Sequence, residues 1–170
     1  MGDITKNFST NELASQGEVW SEIPQAHQNS LIYIAKNILQ PARNILNIGN
    51  VKDDIAIHIS SGYRSQKHNA SVGGATFSQH MVGKAVDIFI ANKTGLELFV
   101  FMLKHFGILI GGIGLYSNES LSAKFIHIDI RDKQSKNSVI AWYCNSEGVY
   151  MPVTPLMRKL ALQENINLLG

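Results

Sequence analysis

Two histidines and an aspartate hold most of the chemical potential of this sequence. His127 and Asp129 alternate with isoleucines in Phe125-Ile126-His127-Ile128-Asp129-Ile130-Arg131, and Asp87 alternates with Val86, Ile88 and Ile90. Strand residues two apart share a face. If the two strands lie with their isoleucine faces together, Asp87, His127 and Asp129 gather on the other side. His80 enters from the loop seven residues ahead of Asp87. Two imidazoles and a carboxylate leave a fourth position open, which is the recipe for catalytic zinc.

The elements that must position these residues follow from pattern. Ser9-Thr10-Asn11-Glu12 has capping-box form and opens a short helix. Leu31, Ile34, Ala35, Ile38 and Leu39 keep a helical period that is expected to stop near Pro41. Ile55, Ile57 and Ile59 alternate as a half-buried strand, followed by a polar loop from Ser60 to Gly83 with one helical turn around His68 to Val72. The Asp87 strand comes next, then a helix from about Thr94 to Phe106 ended by Gly107. Ile108 to Tyr116 suggests a strand whose Gly111-Gly112 pair marks a close backbone approach. The His127 strand, a partner strand over Ser138 to Tyr143 and a terminal helix from Pro155 complete the chain. Helices come mostly first and strands later. The class expected is α+β, a small antiparallel sheet with helices packed on one side.

Composition narrows the function. A chain of 170 residues suggests one domain over 1–170. Fifteen Lys+Arg against thirteen Asp+Glu, with no basic stripe, argue against nucleic acid as a partner. The single cysteine, Cys144, rules out internal disulfides and thiolate zinc clusters. No apolar run reaches the ~18 residues of a membrane span, and the N-terminus lacks the pattern of a secretory signal. The expectation is a monomer made in the cytoplasm that meets an external target by release or another route.

Ser61-Gly62-Tyr63-Arg64-Ser65, Asn69, Val72-Gly73-Gly74, Ser78-Gln79-His80, Gly83, Ala85 and Asp87 together resemble the zinc D-Ala-D-Ala carboxypeptidase family. The stretch from Phe125 to Arg131 resembles the strand that supplies that family's third ligand, and Asn7-Phe8-Ser9 with Glu12-Leu13 is similar to the opening of its phage-type peptidase domain. The resemblance implies Zn2+ held by His80, Asp87 and His127, a fold shared with hedgehog domains, and hydrolysis of D-amino-acid-containing peptides of peptidoglycan. Stem peptides of the bacterial wall are the implied partner, and a phage endolysin the implied setting. A zinc module that binds wall peptide or protein with weak catalysis is the alternative.

The resemblance also implies a carboxylate base three residues before the last histidine, where this chain has Lys124. Asp129, on the same strand face as His127, and Glu119, in the preceding loop, are the alternative bases. Hedgehog domains carry a glutamate in the loop ahead of their last histidine ligand, and Glu119 resembles it by analogy only. Asp129 has a second reading as a structural carboxylate bonded to Arg131 or to a ligand histidine. Arg64 is either a loop anchor or, as the resemblance implies, a group beside the substrate whose fork suits a carboxylate or an oxyanion. His58 is expected in the core, Trp142 and Tyr143 either line a substrate groove or, as strand aromatics usually do, pack in the core, His27 and His105 are expected in solvent, and Cys144 inert.

Overall fold

The computed structural model describes residues 2–49, 54–116, 125–135, 138–145 and 147–154. The Glu12 carboxylate accepts the Ser9 backbone N–H at 2.8 Å and starts α1 (Thr10–Leu13) as the capping pattern requires. The next helical run does not stop at Pro41. It continues as α2 (Gln25–Ile34), a π-helical turn (Ala35–Leu39) and α3 (Gln40–Leu46). A proline inside an α-helix clashes with the carbonyl four residues back and lacks its own N–H. The wider π turn immediately before Pro41 accommodates both, so the helix survives. The turn expected near His68 is α4 (Gln66–Ser71), capped by the Ser65 hydroxyl.

Among the described residues six strands form one sheet in the order β1-β2-β4-β3-β5-β6, with β1 (Ile57–Ser61), β2 (Ala85–Ile90), β3 (Gly112–Tyr116), β4 (Ile126–Asp129), β5 (Ile140–Cys144) and β6 (Tyr150–Pro152). All neighbours are antiparallel except β3 and β5, which run parallel. The sheet is therefore mixed at one junction. The reason is topological: β2 already occupies one edge of β4 and β3 the other. The next strand must pass beyond β3, and reversing from β4 sets it parallel to β3.

Helix α5 (Gly95–Phe106) carries a capping box between Thr94 and Glu97. Gly107 ends it in a right-handed conformation, and the Leu109 and Ile110 N–H groups still bond to the Phe106 carbonyl. This extra turn delays β3 to Gly112, four residues later than the apolar pattern suggested. Val86, Ile88, Ile113, Ile126 and Ile128 pack with Ile34, Ile38, Leu98 and Met102 in one buried cluster. The long helices thus cover the isoleucine face. The opposite face of the central strands is left for polar side chains. The tail from Pro155 lies outside the described residues.

Candidate active site

One row of cross-strand neighbours builds the floor of the site. Asp87 on β2 faces His127 on β4, His127 faces Gly114 on β3, and Gly114 faces Trp142 on β5. All four therefore project to the same side of the sheet. His80 arrives from above on a 3-10 turn (Gln79–Val82), and its own backbone N–H donates to the capping Ser78 Oγ at 3.3 Å. Gly83 then turns the chain into β2 at φ +66, and a Cβ there would fall 2.6 Å from His27.

The ligand atoms converge. His80 Nε2 lies 3.2 Å from Asp87 Oδ1 and 3.1 Å from His127 Nδ1, and His127 Nδ1 lies 3.0 Å from the same Oδ1. The outer ring nitrogens fix the tautomers. His80 Nδ1 donates to the Gly62 carbonyl at 2.7 Å, and His127 Nε2 donates to Asp129 Oδ2 at 3.1 Å. Both acceptors lack hydrogens, so a neutral imidazole at either position turns its other nitrogen inward as a lone pair. Two lone pairs and a carboxylate oxygen aimed at one point repel unless a cation lies among them. All three residues are buried, and their ligand atoms can hold one metal ion.

Without a metal ion the cluster shares protons instead, and His127 is the ring that favours one. Burial, with His127 and Arg64 nearby, lowers the His80 pKa despite the pull of Asp87. Asp87 resists its own burial and is held well below the usual carboxylate range by bonds from both imidazoles. Burial works against the His127 cation too, yet the two aspartates outweigh it and raise its pKa. Asp129 is brought down to about 2, its burial outweighed by His127 and Arg131.

Around the ligands lies an open cleft of ≈ 420 Å³ lined by Arg64, Gly73-Gly74, Phe77, Tyr116, Phe125, Arg131, Trp142 and Tyr150, among others. Arg64 Nε donates to Ser61 Oγ at 2.7 Å, and its Nη2 donates to Asp87 Oδ2. Asp129 is 1% exposed and accepts from His127, from the Arg131 backbone and from the Arg131 guanidinium. Tyr116 is stacked on Phe125 at 4.9 Å, and burial pushes its phenol pKa up, so it remains an O–H donor at neutral pH.

A family model for peptidase M15 matches residues 6–129. The chain belongs to the peptidase M15 family. Its M15 membership makes it a zinc-dependent metallopeptidase of the group that acts on peptidoglycan, and the buried His-Asp-His cluster is the group able to take the ion. No curated protein matches the chain. The matched stretch ends at Asp129, so Arg131 and Trp142 of this M15 peptidase stand outside it.

Some expected residues fall elsewhere. Glu119 and Lys124 lie outside the described residues. His58 is not in the core; it is exposed and stacks on Phe89 at 5.0 Å, because its side of edge strand β1 is uncovered. Of its two readings Trp142 takes the groove rather than the core, since its row through Gly114 turns it into the cleft beside His127. Gly114 leaves room for the indole, a Cβ there falling 2.4 Å from it, but nothing near Ile140 in the sequence marks β5 as the neighbour of this strand. His27 is half-buried against Tyr63, not solvated, while His105 is exposed as expected. Cys144 is buried.

Proposed function

We propose that this M15 peptidase hydrolyses D-amino-acid-containing bonds in peptidoglycan stem peptides, as a carboxypeptidase or endopeptidase of the phage endolysin type acting on the wall after release. The observation that supports this most is the convergence of His80, Asp87 and His127 at the floor of an open cleft that also contains two arginines. In this reading the three residues hold Zn2+, which when bound acidifies a water and polarises the scissile carbonyl.

The chain's own groups do the rest. The Gly62 carbonyl and Asp129 fix the two imidazoles in the ligating tautomer. Arg64 braces Asp87 and presents its remaining N–H groups beside the ligands, where a carbonyl oxygen gaining charge would be stabilised. Asp129 is sealed behind His127 with its oxygens engaged, which favours an orienting role over proton transfer from solvent. Glu119 is then the base to test.

The engagement of Asp129 also favours a second reading, a zinc module that binds wall peptide with weak catalysis. Mass spectrometry of purified peptidoglycan incubated with the protein, with and without a chelator, separates the two. New stem fragments that disappear with chelator and return with zinc support the peptidase. Their absence, with the peptide still bound, supports the module.

A further inference from the structure

The cleft contains a second built cation. Arg131 leaves the end of β4 and reaches across β3 to the face of Trp142, with its guanidinium carbon 5.3 Å from the ring centroid. Two glycines clear its lane. A Cβ on Gly112 would lie 2.8 Å from Arg131 Nε, and one on Gly114 would lie 2.4 Å from the Trp142 indole. Asp129 fixes the guanidinium from the side-on edge, taking Nε at 2.8 Å and Nη2 as well. Those bonds leave the end-on edge, Nη1 with Nη2, which is the geometry that grips a carboxylate with two parallel hydrogen bonds. The side chain is 30% exposed and lines the cleft.

The two arginines stand on opposite flanks of the ligands. Arg64 follows β1 and is bonded to a ligand; Arg131 lies over β3 and β5, one hydrogen-bonded link removed through Asp129 and His127. We propose that Arg131, carried on Trp142, is the specificity residue that anchors the substrate's terminal carboxylate, while Arg64 serves the reacting carbonyl. This rests on the peptidase reading of the cleft. A guanidinium held by packing and by a buried partner loses little freedom on binding, so the anchor is preorganised.

The test is binding, so it does not depend on turnover. The probes are diacetyl-L-Lys-D-Ala-D-Ala with its last amide replaced by a non-cleavable methylene-amine link, as the free acid and as the carboxamide. Dissociation constants are measured by calorimetry on zinc-loaded wild type, Arg131→Gln, Arg131→Lys and Arg64→Lys, with zinc content checked in each. Wild type should prefer the acid by about 10- to 100-fold, the scale of a charged hydrogen-bonded pair. The preference should fall to about one in Arg131→Gln, shrink in Arg131→Lys and persist in Arg64→Lys. A wild type that binds both probes alike, or neither, overturns the proposal. So does a preference that survives in Arg131→Lys and is lost in Arg131→Gln only together with zinc. Failure of the parent reading looks different: peptidoglycan stays intact while the acid preference remains.

Discussion

His127 and Asp129, two residues apart on β4, form a donor–acceptor pair in which Nε2 lies 3.1 Å from Oδ2, and Arg131 closes the far side of the carboxylate. The pair fixes which imidazole nitrogen faces Asp87. A partner of this kind usually contributes about 10- to 100-fold in metal affinity. Asp129→Asn should therefore weaken zinc binding by about that factor in a titration against a competing chelator. Unchanged affinity with turnover reduced by ~10²–10⁴ would instead make Asp129 the general base.

Glu119 is the complementary case. Glu119→Gln should leave zinc affinity intact and lower turnover on stem peptides by on the order of 10²–10⁴ if it takes the water's proton. Unaltered hydrolysis in that variant removes it from the mechanism.

The metal-free protein should have a pH signature. The His127 pKa is raised in the fold, so its stabilisation is complete below the unfolded value near ~6.5 and disappears as pH rises through the folded value. The His80 pKa is lowered, so its contribution is present above ~6.5 and lost as pH falls. Asp129 adds a further acid loss as pH drops from the usual carboxylate range toward about 2. Chelated protein should thus melt highest near neutral pH and lower on either side. Zinc needs the His127 lone pair, so the gain in Tm on adding zinc should grow above pH ~6.5. A gain that shrinks as pH rises over that range would contradict the tautomer assignment.

Much of this was legible in the sequence because period-2 alternation is a strong signal. Asp87 and His127 share a face with no freedom to do otherwise once Ile88 and Ile126 are buried, and the Thr94 and Glu12 caps follow from local chemistry. What local pattern could not show was non-local. Nothing near Ile140 indicates that β5 must pass beyond β3 and run parallel to it, and that junction is what turns Trp142 into the cleft. Pro41 misled because a π turn, in which Ile38 and Leu39 are buried, precedes it and lets the helix continue.

The β3 glycines give a direct test of the row. Gly114→Ala puts a Cβ 2.4 Å from the Trp142 ring. It should cost about 1–3 kcal/mol by denaturant unfolding, as overpacking does, and should lower affinity for stem peptide. A neutral Gly114→Ala would mean that Trp142 is not held against β3.

The most direct test of the central claim is elemental analysis of protein purified without added metal. One zinc per chain is expected for wild type and none for the His80→Ala/His127→Ala double variant, whose fold is checked by circular dichroism. Equal zinc in both proteins would contradict the assignment of His80, Asp87 and His127 as the metal centre.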